Sequence, residues 1–187
     1  MIYDLIVIGG GPAGMMAAGR AGEMGARVLL LEKNENLGVK LLITGKGRCN
    51  ITNAEFDNRK LVDNFGKSGK FLFSALNKFG VQEVIEFFES RGVKTKVERG
   101  NRVFPVSDKA RDVLDALIGY MKDNGVEIKT KAEVAKIVVD PPSLGLRRAR
   151  KIVLKSGEEF EARNYLIATG GKSYPGSGST GDGYKWC

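Results

Sequence analysis

The hydrophobic pattern opens with a short continuous apolar run, Leu5-Ile6-Val7-Ile8. A run of this kind, without alternation, is what a strand buried on both faces of a parallel sheet requires. Gly9 to Gly14 then reads as a tight turn, and Met15 to Gly25 as a helix with Ala17, Ala21 and Met24 on its inner face. Arg27 to Glu32 is a second apolar run that ends on an acid. Strand, glycine turn, helix and strand make a βαβ unit within the first 32 residues.

Residues 33–69 read as a long loop rich in glycine, and a loop of that length inside a compact domain is usually functional. Phe71, Leu72, Ala75, Leu76 and Phe79 recur at helical spacing, as do Val81, Val84, Ile85 and Phe88. Both helices are expected to be core packing. Val103-Phe104-Pro105 breaks the pattern, with Ser107 as an N-cap and Asp108 in the first turn of the next helix. That helix carries Ala110, Val113, Leu114, Leu117, Ile118 and Met121 as one stripe and closes at Asn124-Gly125. Val126 to Thr130 alternates as a strand. Val134 to Val139, Lys151 to Lys155 and Glu159 to Arg163 are short strands with a hairpin turn at Ser156-Gly157, and Tyr165 to Ala168 is a last buried run. The order predicts an α/β, Rossmann-like fold: a mostly parallel sheet carrying a small antiparallel β-meander.

Composition then removes whole classes of chemistry. The 187 residues contain no histidine, which excludes Ser-His-Asp and Cys-His catalysis and any His-ligated metal. Cys49 and Cys187 are far apart, so neither a disulfide framework nor a thiolate metal site is expected, and the metal set is empty. The N-terminus lacks a basic leader and no apolar run approaches a membrane span, so the expectation is a cytoplasmic protein without a membrane partner. Thirty basic against 22 acidic residues give a net charge of +8, which attracts anions. The one basic cluster, Arg147, Arg148, Arg150 and Lys151 beside Pro141 and Pro142, has no interleaved aromatics, so nucleic acid is not expected as a partner.

Glycine placement points to the chemistry that remains. Gly9-Gly10-Gly11-Pro12-Ala13-Gly14 is a GxGxxG turn between a buried strand and a helix, answered by Glu32 at the end of the second strand. That context is the dinucleotide-binding arrangement. Gly9 permits the turn, Gly11 admits a pyrophosphate, Gly14 lets helix and strand pack closely, and Pro12 suits the first helical turn, with Ala13 beside it. Glu32 would accept ribose hydroxyls and disfavour a 2′-phosphate; the other reading of it is a plain surface acid.

Ala168-Thr169-Gly170 at the end of the last buried strand resembles the returning element of the two-dinucleotide-binding flavoproteins, which favours FAD over NAD. Two longer stretches resemble a narrower bacterial family, the NAD(P)/FAD-dependent oxidoreductases that include aminoacetone oxidases and bile-acid-reducing flavoproteins. Leu41 to Asn53 matches that family's TGxGRCNxTN signature, and Gly171 to Tyr184 its GGxSYPxxGSTGDGY segment, with Arg102-Val103-Phe104-Pro105 as a shorter third piece. The resemblance implies a flavin-mediated hydride transfer, with NAD(P)H as donor by family label alone. It implies FAD contacts from Arg48 and Asn50, with Lys40 as a second phosphate partner. Cys49, Lys33 and Val134 complete the cofactor-lining set. For Arg48 and for Lys40 an ordinary surface salt bridge is the other reading. Cys49 has no cysteine partner nearby, which excludes a dithiol relay and leaves either a lone redox thiol or a packed small residue. The Gly176 to Gly183 stretch is either a cofactor contact or a simple loop.

Family members continue beyond this point with an inserted substrate domain and a C-terminal return. The expectation is therefore that residues 1–187 form the N-terminal portion of the FAD-binding domain in a truncated member. No catalytic residue and no particular substrate can be named. The alternative to an oxidoreductase is a non-catalytic FAD- or ADP-binding fragment that needs a complementing chain to complete the flavin pocket.

Overall fold

A computed structural model describes residues 2–139 and 149–186. Pro141, Pro142, Arg147, Arg148 and Cys187 lie outside the described residues. The chain divides into two compact units, residues 1–41 with 117–187, and residues 42–116.

In the first unit, β1 (Tyr3–Ile8) is followed by α1 (Pro12–Glu23) and β2 (Val28–Leu31). Beyond α2 (Val39–Ile43), this unit resumes in the later half of its long helix and continues with four further strands. Its six-stranded sheet runs, by first residue, 127, 28, 3, 159, 149, 134. β1 is central and parallel to both neighbours, with Ile8 opposite Leu31 on one side and Ile167 on the other. Both faces of β1 and β2 are covered. Ile6, Ile8, Leu29 and Leu31 join one buried cluster, while Val7 faces α1, where Gly14 lies against it. Strand side chains alternate between faces, so two covered faces demand the unbroken apolar run seen in the sequence.

The inner face of α1 differs from the predicted one. Gly14, Met15, Ala18 and Gly19 are buried, and Met24 is 74% exposed. A Cβ on Gly19 would sit 2.3 Å from the Tyr120 ring, so this helix approaches its neighbours through glycine. Hydropathy gives glycine little weight, and the contact face escapes the periodicity.

The second unit replaces the expected loop with short elements: β3 (Thr52–Asn53), α3 (Asn58–Asp63), a 3-10 segment (Gly66–Leu72), α4 (Phe73–Lys78) and α5 (Val81–Glu89). The expected core helix over 71–79 is largely exposed: Phe71 is 89% accessible, and Phe65 and Phe79 are also exposed. Val103-Phe104-Pro105, expected as a break, belongs to β5 (Arg102–Pro105), the middle strand between β3 and β4 (Thr95–Glu98). Pro105 is tolerated because it ends the strand. Asp108 is not in a helical turn; it has φ 56°, and Ser107 Oγ accepts from Lys109 N–H before α6 (Ala110–Asp123) begins. That helix buries the expected stripe except Ile118, which is half-buried, and adds Tyr120.

The chain then forms β6 (Glu127–Lys129), β7 (Val134–Val139), β8 (Ala149–Leu154) and β9 (Glu159–Ile167). The two runs expected at 159–163 and 165–168 are one continuous strand. Its first part pairs antiparallel with β8 and its later part parallel with β1, so β9 joins the meander to the parallel sheet. The short α7 (Gly183–Trp186) follows the last loop.

Candidate functional site

A cleft of about 240 Å³ opens where β1, β2 and β9 end, and it is lined by residues of the first unit. Three glycines of the turn beside it are glycine for three different reasons. Gly9 has φ +116°, donates its N–H to Leu31 O at 2.8 Å, and would place a Cβ 2.5 Å from Ala168 O. Gly14 would place a Cβ 1.9 Å from Gly9 O, so helix and turn touch backbone to backbone. Gly11 is unlike both. Its φ of −80° and ψ of 176° suit any residue, and a Cβ there meets nothing within 4 Å. The fold does not need a glycine at 11; the space a side chain would take belongs to the cleft.

Gly11 is also the N-cap of α1, where no side chain caps the helix and no acid occupies its first turn. Pro12 at N1 and Ala13 line the same rim. The helix therefore presents open N–H groups and the positive end of its dipole to the cleft.

Glu32 is only 8% exposed. Its Oε2 accepts from Gly10 N–H at 2.7 Å and its Oε1 from Asn34 N–H at 2.8 Å. Two backbone donors thus fix the carboxylate, and its remaining lone pairs can accept from a ligand diol. The main chain is held as well: Glu32 N–H donates to Lys129 O, and Ala132 N–H donates to Glu32 O, each at 2.9 Å. This brings Ala132, Glu133 and the buried Val134 to the cleft wall.

The late loop closes another side. Ala168 N–H donates to Ile8 O at 2.8 Å, which sets Ala168-Thr169-Gly170 beside the glycine turn. Further along, Lys33 Nζ donates to Thr180 Oγ1 at 2.6 Å and pairs with Asp182 Oδ2 at 2.8 Å. Lys40 Nζ donates to Ser179 Oγ at 3.0 Å, and Asn34 Nδ2 to Ser177 O at 3.3 Å. The Lys33 ammonium, then the Thr180 hydroxyl and Lys185, hold the Asp182 carboxyl far below the usual carboxylate range. Gly176 to Gly183 is thus a shaped loop. Its residues Ser177, Ser179 and Asp182 line the cleft, as do Asn34 and Trp186, and only the last two lie outside every stretch the sequence offered as a cofactor contact or its neighbour. For Ser179 and Asp182 the GSTGDGY motif was the available signal.

Arg48, Cys49 and Asn50 belong to the second unit. Gly45, Lys46, Gly47 and Cys49 all have positive φ, from 56° to 84°. This coiled loop is built on Phe104, itself 1% exposed: a Cβ on Gly45 would lie 2.8 Å from that ring, and the Arg48 guanidinium stacks 4.1 Å from its centroid. Arg48 also pairs with Glu98 at 2.9 Å and Asp108 at 3.3 Å. The Asn50 amide nitrogen donates to Thr52 O and Val103 O in the orientation that satisfies both. Cys49 is buried, and burial pushes its thiol up, the direction of a neutral packed side chain.

Among the described residues there is no cluster that could hold a metal and no helix long and apolar enough to cross a membrane. Comparison with known proteins agrees with this geometry. The chain is 37% identical over 180 residues to a 3-dehydro-bile acid delta(4,6)-reductase of Clostridium scindens, covering 95% of this chain and 41% of the relative. It is 30% identical over 183 residues to the ribosomal RNA dihydrouridine synthase of Escherichia coli, covering 98% of this chain and 43% of that protein. It therefore spans about two fifths of the length of these relatives. Among solved structures, a 3-ketosteroid-delta4-(5alpha)-dehydrogenase from Rhodococcus jostii shares the fold with a TM-score of 0.69 at 19% identity, over 92% of this chain and 46% of that one. The model of the HI0933-like protein Rossmann domain matches residues 3–187, and the chain belongs to that family.

Proposed function

We propose that residues 1–187 are the FAD-binding part of a flavin-dependent oxidoreductase. The observation that carries this reading is Gly11, a glycine with ordinary backbone angles whose missing side chain leaves room at an uncapped helix N-terminus. A pyrophosphate takes that position, Glu32 accepts the adenosine ribose hydroxyls, and Lys40 adds a cation. Val134 and Ala168-Thr169-Gly170 supply close, largely apolar walls. Bound FAD would contribute an isoalloxazine able to accept or donate a hydride. One relative is named for a bile acid and another for ribosomal RNA. A portion common to both fits a cofactor role better than a choice of substrate. A small-molecule substrate, NAD(P)H as donor and a cytoplasmic setting complete the reading.

The length of the relatives favours a second reading, an FAD- or ADP-binding part that turns over only when further polypeptide completes the flavin pocket. Titration with FAD, followed by quenching of flavin fluorescence, tests the first claim. Saturable binding is expected, and Glu32→Ala should weaken it about tenfold through loss of the ribose acceptor. An unchanged affinity removes Glu32 from that role. Adding NADH under anaerobic conditions separates the two readings, since bleaching of the flavin bands requires a chain competent in electron transfer.

A further inference from the structure

Two lysine ammonium groups line the cleft, and the late loop treats them in opposite ways. Lys33 meets a carboxylate: Asp182 Oδ2 lies 2.8 Å away, and Thr180, whose hydroxyl donates to the same oxygen at 2.6 Å, accepts a second bond from Lys33. Lys40 meets the hydroxyl of Ser179, a buried neutral group that leaves its charge uncancelled. Among the described residues Lys40 has no carboxylate partner within ion-pair distance. Beside Lys33, Glu32 is held by two backbone N–H groups and, among the described residues, by no ion pair. The loop therefore sorts the charges of the cleft. Its Asp182 cancels the cation next to the ribose acceptor, and its Ser179 preserves the cation near the Ala168-Thr169-Gly170 turn, where Gly170 approaches Lys40 Nζ.

Rossmann sites that accept a 2′-phosphate do so with a nearby cation. Here such a cation exists in Lys33 but is already paired. We infer that Asp182 is a specificity-determining residue: by engaging Lys33 it keeps the ribose end of the cleft closed to 2′-phosphorylated dinucleotides, while Ser179 leaves Lys40 charged for the pyrophosphate. The inference rests on the dinucleotide reading above. It adds that discrimination is shared between the acid just after β2 and a late loop whose Asp182 lies 149 residues beyond Lys33.

The test uses ADP-ribose and 2′-phospho-ADP-ribose, which differ only in the 2′-phosphate, titrated calorimetrically into the whole chain. The unsubstituted protein is expected to prefer ADP-ribose. Asp182→Asn keeps the shape and removes the charge, and it should shift the affinity ratio toward the 2′-phosphorylated ligand about tenfold. Lys33→Met breaks the same ion pair without freeing a cation and should produce no such shift, as should the double variant. Lys40→Met should weaken both ligands together and leave the ratio alone. An unchanged ratio in Asp182→Asn, or a shift that survives in the double variant, overturns the assignment. Failure of the unsubstituted chain to bind ADP-ribose overturns the cofactor reading along with it.

Discussion

At the residue scale, the three cradle glycines separate what the fold requires from what a ligand requires. Gly14 is fixed by the fold, since its Cβ would meet the Gly9 carbonyl oxygen at 1.9 Å and backbone cannot step aside. Gly14→Ala should cost about 3 kcal/mol in urea unfolding through overpacking. Gly11→Ser should leave the unfolding midpoint in place, because a Cβ there meets nothing within 4 Å and serine serves an N-cap at least as well as glycine, and weaken FAD binding sharply because the side chain enters the ligand's space. A loss of stability on Gly11→Ser would show that the position serves packing. All three glycines were legible as GxGxxG, and the motif also gave them separate roles in turn, close approach and packing. What was not legible is which atoms a Cβ would meet at each, because Ala168, which comes back against Gly9, follows β9 far along the chain, and no local pattern encodes that.

At the element scale, the elements best read from the sequence are those buried on two faces. β1 and β2 were found as apolar runs because both sides of the sheet are covered. β9 was split in two because its pairing changes midway, from antiparallel with β8 to parallel with β1, and half-buried positions weaken its pattern. The second unit was the least legible. Its three-stranded sheet has strands of two to four residues, too short for alternation to register. Its signature motif was nevertheless readable, and the structure explains why two separate stretches accompany each other. The Thr44 to Asn53 loop holds four residues in the left-handed region, and Phe104 from β5 is the surface on which it coils. For residues other than glycine that conformation persists only when surroundings enforce it. Phe104→Ala should therefore cost about 4 kcal/mol and speed hydrogen exchange at the Cys49 amide, which donates to Thr44 O across the loop. Destabilisation without faster exchange at Cys49 would detach the loop from Phe104.

At the scale of the whole molecule, the net charge of +8 and the exposed phenylalanines belong together. Phe56, Phe65, Phe71 and Phe79 are accessible along residues 56–79, and exposed Lys60, Lys67, Lys70 and Lys78 are interspersed among them. Helical spacing suggested a core here because it registers apolar residues and not what covers them. With a net charge of +8, like charges would hold two copies apart before their rings could meet. Screening shortens that repulsion from about 10 Å at 0.1 M salt to about 3 Å at 1 M, while contact between rings is left intact. Light scattering should then show net repulsion between molecules at low salt turning to attraction at high salt, with Phe71→Ser suppressing the change. For a protein of this charge, salt, which ordinarily keeps cationic chains from clinging to other polyions, would be the condition that makes it cling to itself.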